Sequence, residues 1–228
     1  MPVNVTTEQF YDALADDYSR AVTRCVPRYN EMLSSLFSYL PNGFAPVRIL
    51  ELGCGSGNLT LELCRRFPGI CIDAIDLSGE LLKIARARTN TVAVNFLKED
   101  FRCLDLSAAS YDLVISSISI HHLKDDEKKV LFNRVLSWLS VGGILTFSDQ
   151  FRGATDHVYR MHIRRWKNEA FAAGLEQPEW DSWMEHQQQH DHHATMVQHF
   201  KWLQDAGFDS VDCTWRYLLW ATIYAHKA

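Results

Sequence analysis

The sequence predicts an α/β protein with a doubly wound, mostly parallel β-sheet, and three observations support this. Short β-branched runs alternate with segments whose apolar residues recur every three or four positions. Strand and helix in repeated alternation imply a parallel sheet covered on both faces by right-handed crossovers. With 228 residues, 47% of them hydrophobic, the chain can bury one sizeable core. We therefore expect a single domain over residues 1–228.

The predicted elements begin with a helical segment ahead of the sheet. Thr6 and Gln9 fit a capping box, so residues 6–24 and 28–40 are predicted as two helices. Five strands follow, predicted at residues 47–52, 70–75, 92–97, 111–116 and 144–148. The helices between them are predicted at residues 59–67, 80–89 and 127–139.

The part of the chain after the fifth strand has a different pattern. Residues 152–194 are too long for a plain loop, and their composition predicts helix. A helix at 195–205 ends at Gly207, a left-handed cap, and strands at 210–216 and 218–226 follow so closely that they must pair antiparallel. The chain thus divides into an N-terminal helical cover, a ligand-binding core, a helical cover insert and a final helix with hairpin, at residues 1–44, 45–150, 151–194 and 195–228.

Composition excludes several classes of function. The formal net charge of −5 repels the phosphate backbone of nucleic acid. Six cysteines without a C-x-x-C pair are typical of a reduced compartment, and no leader or membrane-spanning pattern is visible. We therefore expect a cytoplasmic protein, a monomer or homodimer, that acts on a small molecule and binds neither nucleic acid nor membrane.

A glycine-rich turn follows the first predicted strand, in the residues 51–58 (ELGCGSGN). Glycines at alternate positions let the backbone turn sharply and approach a ligand closely. The acid Glu51, two residues before Gly53, would repel a pyrophosphate but suits a cationic amine. A purely structural strand-to-helix turn is the alternative interpretation.

Two further acids stand at neighbouring strand ends. Asp76, followed by Leu77, comes where an acidic side chain accepts the hydrogen bonds of ribose hydroxyls, although it could instead cap the next helix. Asp100 and Phe101, after the third strand, suit an adenine through the carboxylate and the ring. A ligand that combines adenosine with a positive centre satisfies all three acids.

Residues 45–150 resemble a class I S-adenosylmethionine-dependent methyltransferase, because ELGCGSG, AIDLS, KEDF and SSISIHHL match that family's motifs in order and spacing. The resemblance implies a Rossmann-like sheet of seven strands with a terminal antiparallel hairpin, and S-adenosylmethionine as methyl donor. Residues 200–217 contain WLQDAGFDSVDCTWRY, which is similar to small-molecule methyltransferases and, more distantly, to carboxy-S-adenosylmethionine synthases. The predicted cofactor site consists of Glu51, Gly53, Gly55, Gly57, Asp76, Leu77, Asp100, Phe101, Ser117, Ile118 and Tyr18.

The predicted catalytic residues are His121, His122 and Tyr11. The two histidines follow the fourth strand, where the methyl group should point, and one of them is a general base or both are structural. Tyr11 and Tyr18 lie seven residues apart on one face of the first helix. The resemblance implies that such a leading aromatic helix closes over the cofactor as a lid, and core packing is an equal alternative.

The predicted substrate site consists of Arg160 and Arg164 of the cover insert together with Arg216 and Tyr217 at the turn of the terminal hairpin, a turn that the resemblance places near the acceptor pocket. Arg160 and Arg164 share a helical stripe with Lys167 that is an anion clamp if it faces the cleft and a solvated surface otherwise.

No metal site is predicted. His186, His190 and His193 would share a face if residues 183–193 formed a helix, but the polar residues around them indicate an exposed segment.

The predicted function is direct methyl displacement onto a small, acidic acceptor. The alternatives are another use of the sulfonium, such as cyclisation or transfer of a different group, and a non-catalytic nucleoside-binding scaffold. Nucleic-acid methylation is disfavoured, because SSIS stands after the fourth strand in place of an Asn/Asp-Pro-Pro-Tyr/Phe motif.

Overall fold

The computed structural model describes residues 6–89 and 93–228. One sheet is formed by β1 (Arg48–Leu52), β2 (Cys71–Asp76), β3 (Val94–Lys98), β4 (Tyr111–Ser117), β5 (Leu139–Gln150), β6 (Ser210–Tyr217) and β7 (Trp220–His226). Its strand order is β3-β2-β1-β4-β5-β7-β6, with β1 to β5 parallel and β7 antiparallel to both of its neighbours. The seven-stranded, mostly parallel sheet with its terminal hairpin is therefore confirmed.

The helices of the described residues lie before, between and after these strands. They are α1 (Thr7–Leu14), α2 (Tyr18–Cys25), α3 (Tyr29–Ser35), α4 (Asn58–Arg66), α5 (Gly79–Thr89), α6 (Asp125–Trp138), α7 (Asp156–Ala172), α8 (Gln177–His190) and α9 (Met196–Ala206). A single 3₁₀ turn, Ile120–His122, follows β4. None of the described helices has the length and apolar composition needed to cross a membrane.

The two faces of the sheet carry separate cores. Val22 of α2, Leu63 of α4 and Trp166 of α7 are buried against one face. Phe132 of α6 and Leu203 of α9 are buried against the other. Because both faces are covered, the central strands are apolar almost throughout, as expected for parallel sheets.

Several predicted boundaries differ from the structure. The fifth strand, predicted at 144–148, extends over Leu139–Gln150. The leading segment 6–24 is not one helix: α1 ends at Leu14 and α2 begins at Tyr18, with Asp17 accepting from the backbone N–H groups of Arg20 and Ala21. The helix predicted at 28–40 ends at Ser35. The predicted start of the third strand, Val92, lies outside the described residues, and β3 is described from Val94.

The pairing of the strands brings the predicted site residues to one edge. Leu52 of β1 is in register with Ile75 of β2 and with Ser116 of β4. The residues after these three positions therefore lie side by side at the carboxyl edge of the sheet, the usual place for a ligand in open α/β sheets.

Candidate functional site

The turn after β1 has the left-handed backbone that glycine favours. Gly53, Gly55 and Gly57 have φ angles of 71°, 52° and 83°. The backbone N–H groups of Gly53 and Cys54 donate to the carbonyl of Ile75, which ties the turn to the end of β2. Glycine at these positions removes most of the steric cost of this conformation.

A cavity with an empty volume of about 490 Å³ opens above this turn, and we call it the first cavity. Its walls come from α1, α2, the glycine turn, the end of β2 and the segment after β4. The predicted site residues that line it are Tyr11, Tyr18, Gly53, Gly55, Asp76, Leu77, Phe101, Ile118 and His122. Residues far apart in the chain thus meet around one space.

Asp76 organises the floor of the first cavity. Its Oδ2 accepts from the N–H of Gly55 at 2.7 Å, and its Oδ1 accepts from the N–H of Ser78 at 2.9 Å. A carboxylate offers about four lone-pair sites, so both oxygens can still accept from a ligand. Burial raises the pKa of Asp76, while the backbone donors act in the opposite direction. Ser78, and not Asp76, caps the helix that follows, because its Oγ accepts from the N–H of Leu81.

A smaller side pocket lies next to the glycine turn, lined by Glu51, Ser117, Tyr29 and Gly53 among others. Oε2 of Glu51 accepts from Thr60 at 2.7 Å, whereas its Oε1 and the Oγ of Ser117 have no hydrogen-bond partner. Glu51 is 1% exposed, and burial raises its pKa to about 8. Unpaired buried polar atoms are rare, and here they face a space next to the first cavity.

Two predicted cofactor residues line neither space. Gly57 is the N-cap of α4, and a Cβ there would lie 3.1 Å from the Cβ of Ala85, so its small size serves the packing of α4 on α5. Asp100 accepts from the guanidinium of Arg102, whose Nη2 is 2.6 Å from Oδ2. The expected contact of the Asp100 carboxylate with a ligand is replaced by this ion pair.

Helix α1 covers the first cavity. Asp12 accepts from the Oγ of Ser78 at 2.5 Å, and Glu8 pairs with Lys98 at 2.8 Å, so the helix is held at both β2 and β3. The rings of Tyr11 and Tyr18 are in edge contact, with centroids 5.8 Å apart, although they belong to different helices. The break between α1 and α2 is what allows both tyrosines to face the same space.

A second cavity, with an empty volume of about 430 Å³, lies behind the first, and Tyr11, Tyr18 and Ile118 line both. Ile118 has a φ of 55°, a strained conformation for a β-branched residue, and its N–H donates to the carbonyl of Ser148. The second cavity is largely apolar, with three tryptophans. Its polar lining comes from Gln150, His186, Gln187 and Asp191 together with Tyr11 and Tyr18.

Polar groups converge where the two cavities meet. Nδ1 of His121 lies 2.5 Å from Oδ1 of Asp149, and Nε2 of His122 lies 3.2 Å from the hydroxyl of Tyr11. His121 is buried behind this wall, and only His122 lines the first cavity. Burial lowers the pKa of His121 but Asp149 and Asp191 outweigh it and raise the value, whereas burial lowers the pKa of His122.

Asp191 is a site residue that the sequence analysis missed, and its segment is not exposed as expected. Helix α8 ends at His190, so His193 does not continue the predicted helical face. The side chains of Asp191 and His193 are each 4% exposed, because His192 N–H donates to the carbonyl of His121 and holds the segment under the sheet edge. The sequence HDHH at the end of this helix, residues 190–193, is the signal that could have indicated this.

The predicted substrate residues of the cover line neither cavity in the described part of the chain. Arg160 and Arg164 are exposed, because α7 buries Trp166 and Ala170 instead. Arg216 is exposed, and Tyr217 donates to Glu169 at 2.5 Å. The anion clamp expected from Arg160, Arg164 and Lys167 is therefore corrected: both arginines lie on the solvated surface, and Lys167 donates to Gln177.

Comparison with known proteins agrees with this geometry. Residues 49–143 match a family model described as a methyltransferase domain. The chain is 39% identical over 121 residues to a malonyl-[acyl-carrier protein] O-methyltransferase of Bacillus anthracis, covering 52% of this chain and 44% of that protein. It is 28% identical over 166 residues to a carboxy-S-adenosyl-L-methionine synthase of Pectobacterium atrosepticum, covering 68% and 66%. The match thus spans less than half the length of the first relative.

Solved structures share the fold. Phosphoethanolamine N-methyltransferase 2 of Haemonchus contortus, solved with phosphomonomethylethanolamine and S-adenosylhomocysteine, matches with a TM-score of 0.72 at 18% identity over 100% of this chain and 61% of that one. An S-adenosylmethionine-dependent methyltransferase of Mesorhizobium loti matches with a TM-score of 0.61 at 21% identity, covering 85% and 96%. The family model, the relatives, the sheet order and the glycine turn agree: residues 49–143 match a methyltransferase domain, and the fold is the one seen in solved S-adenosylmethionine-dependent methyltransferases.

Proposed function

We propose that this protein transfers the methyl group of S-adenosylmethionine to a small acceptor held in the second cavity. One observation carries the proposal: a cavity built on Asp76 and the glycine turn meets a second, mostly apolar cavity at Tyr11, Tyr18 and Ile118. A donor in the first and an acceptor in the second would face each other across these three residues.

The residues of the first cavity and the side pocket fit the donor. The free lone pairs of Asp76 suit two ribose hydroxyls, and Leu77 and Phe101 offer apolar surface to the adenine. The unpaired Oε1 of Glu51 and Oγ of Ser117 suit the amino acid end, which carries an ammonium and a carboxylate. Gly53 and Gly55 leave space between these two groups.

The main task of the protein in methyl transfer is to align the donor and the acceptor. S-adenosylmethionine supplies a methyl group bonded to a positively charged sulfur. The acceptor atom attacks the methyl carbon, and the sulfur leaves with the electron pair of the broken C–S bond. Tyr11, Tyr18 and Ile118 would define the line of attack and exclude water. Holding reactants in such geometry can contribute about 7–11 kcal/mol to lowering the barrier.

An acceptor that carries a proton needs a group to take it. His122 is the histidine at the cavity wall, and the hydroxyl of Tyr11 is 3.2 Å from its Nε2. His121 reaches neither cavity wall and would position the pair through Asp149. We assign His122 and Tyr11 to proton handling and His121 to support.

A second outcome is favoured by the carboxy-S-adenosyl-L-methionine synthase relatives, whose similarity extends over 68% of this chain. The products separate the two. Methyl transfer leaves S-adenosylhomocysteine, intramolecular cyclisation leaves methylthioadenosine, and transfer of another group changes the mass of the recovered nucleoside.

The proposed function is tested by titrating the protein with S-adenosylhomocysteine in a calorimeter. We expect saturable binding at one site per chain. Incubation with S-adenosylmethionine and a panel of small carboxylic acids, analysed by mass spectrometry, should then yield S-adenosylhomocysteine and a product heavier by one methylene unit. Absence of binding at millimolar ligand would overturn the assignment.

Binding of the product should release a proton, and Glu51 should be its source. Glu51 has a pKa of about 8 in the free protein, and a ligand ammonium beside it would favour the carboxylate. At pH 6.5 we therefore expect about one proton released per S-adenosylhomocysteine bound. Calorimetry in buffers of different ionisation enthalpy measures this number. Glu51→Gln should release none. Glu62→Gln, which changes a half-buried glutamate paired with Arg65 on α4, should behave like wild type.

The same raised pKa has a consequence for stability. An acid whose pKa is raised on folding holds its proton more tightly in the folded state. The contribution of Glu51 to the free energy of unfolding is therefore fully present below about pH 4.5. As the pH rises from there to the pKa of Glu51 in the folded protein, near 8, the free energy of unfolding falls by about 1.4 kcal/mol per pH unit. Glu51→Gln should flatten that slope in urea unfolding.

A further inference from the structure

Four histidines surround the carboxylate of Asp191. Nδ1 of His122, Nε2 of His121 and Nε2 of His186 lie 3.0, 3.6 and 3.9 Å from its Oδ1. Nε2 of His193 lies 3.4 Å from Oδ2. These residues come from the 3₁₀ turn after β4 and from the end of α8 with the segment that follows it, so the fold brings two distant stretches of chain to one point.

Hydrogen bonding does not account for this cluster. Both ring nitrogens of His186, Nε2 of His193 and Oδ1 of Asp191 are buried without a hydrogen-bond partner in the described structure. Nδ1 of His122 also lacks one, since its approach to Asp191 is not aligned as a hydrogen bond. The side chains of His121, His186, His193 and Asp191 are 2–4% exposed. So many unpaired buried polar atoms in one place need a partner.

The spacing and the outer contacts match a metal centre. Ligand atoms about 2.0–2.2 Å from one tetrahedral metal lie about 3.3–3.5 Å from each other. The ligand atoms of His121, His122 and Asp191 all lie within 4.8 Å of one another, and two of these distances are 3.0 and 3.6 Å. The far nitrogens of three imidazoles are held from outside: Nδ1 of His121 by Asp149 at 2.5 Å, Nδ1 of His193 by the Tyr159 hydroxyl at 2.8 Å, and Nε2 of His122 by Tyr11. Metal-ligating histidines show this outer support.

The ligand chemistry narrows the kind of metal. Imidazole nitrogens with a single carboxylate suit zinc, iron, copper or nickel, whereas Mg²⁺ and Ca²⁺ prefer sites made of oxygen.

We propose that His121, His122 and Asp191, with His186 and His193 adjacent, bind one first-row transition-metal dication. The site lies where the cavities meet, since His122 lines the first cavity and both His186 and Asp191 line the second. An acceptor oxygen in the second cavity could complete the coordination. With the metal bound, His122 would be a ligand through Nδ1 and would no longer take the acceptor's proton, and the metal would instead favour loss of that proton. This point rests on the proposed function, whereas the metal site itself does not.

The metal would also explain how an acidic acceptor is held. No lysine or arginine lines the second cavity in the described structure. A dication beside it would supply the positive charge and lower the pKa of an acceptor's hydroxyl or carboxyl group. The proposal replaces the expectation from the sequence that no metal site is present.

The test is Zn²⁺ binding to the full chain after treatment with a chelator, followed by elemental analysis and calorimetry, with Mg²⁺ as a competing ion. We expect one tightly held Zn²⁺ per chain that excess Mg²⁺ does not displace. Co²⁺ in its place should give visible absorption typical of nitrogen and oxygen ligands. Asp149→Asn, which alters only outer support, should weaken Zn²⁺ binding about 10- to 100-fold, and Asp191→Asn at least as much.

His190→Ala is the matched control, because His190 belongs to the same helix but has no contact with Asp191 below 4.0 Å in the described structure. It should bind Zn²⁺ like wild type. S-adenosylhomocysteine binding shows that each variant is folded. Equal Zn²⁺ binding by wild type and Asp191→Asn, or none by a wild type that binds S-adenosylhomocysteine, would overturn the metal site alone. If the protein binds Zn²⁺ but transfers no methyl group, the proposed metal site stands and the proposed function is wrong.

Discussion

Asp76→Ala should weaken the binding of S-adenosylhomocysteine about 10- to 150-fold, equivalent to about 1.5–3 kcal/mol. Asp76 lines the first cavity, and its two oxygens already hold the N–H groups of Gly55 and Ser78. The variant removes the charged acceptor for the ribose and also frees the glycine turn. Calorimetric titration at constant pH measures the loss.

Asp112→Ala is the control for Asp76→Ala, because Asp112 also accepts from two backbone N–H groups, those of Val47 and Arg48, at the opposite edge of the sheet. It should lower stability without changing ligand affinity. Asp100→Ala tests whether Asp100 contacts the ligand or serves only its ion pair with Arg102. If the ion pair is its main role, S-adenosylhomocysteine binding should change little. Undiminished binding by Asp76→Ala would contradict the proposed ribose contact.

The sheet and its ligand edge could be predicted because local pattern decides them. β-branched runs, the glycine turn and the acid at the end of β2 are contiguous in the chain, and parallel strands place their carboxyl ends together. Capping patterns predicted the start of α1 and the end of α9 in the same way, through Thr6 and Gly207. These features need no knowledge of distant contacts.

The cover could not be predicted to the same depth, because its side chains are placed by tertiary contacts. Tyr11 and Tyr18 were expected on one helical face, yet they meet across a helix break. Asp191 follows a glutamine- and histidine-rich helix that looks exposed, and it becomes buried only through contacts with the turn after β4. Periodicity reports which face of a helix is apolar but not which polar residues a fold buries.

Gly53→Ala should destabilise the fold by about 2–5 kcal/mol in urea unfolding followed by tryptophan fluorescence. Gly53 has a φ of 71°, where a side chain costs about 1–2 kcal/mol. Its Cβ would lie 2.4 Å from Cβ of Ser119, and Ser119 cannot move aside, because its hydroxyl is bonded to Leu52 and Ser116. The overlap adds about 1–3 kcal/mol.

Gly43→Ala isolates the conformational part of this cost. Gly43 has a φ of 75°, and nothing lies within 4 Å of a Cβ built there, so its substitution carries the left-handed penalty alone, about 1–2 kcal/mol. The difference between the two variants therefore measures how rigidly Ser119 closes the floor of the first cavity. If the two variants lose equal stability, Ser119 moves aside to make room for the new Cβ. The glycine turn would then be held by its backbone conformation without the support of the segment after β4.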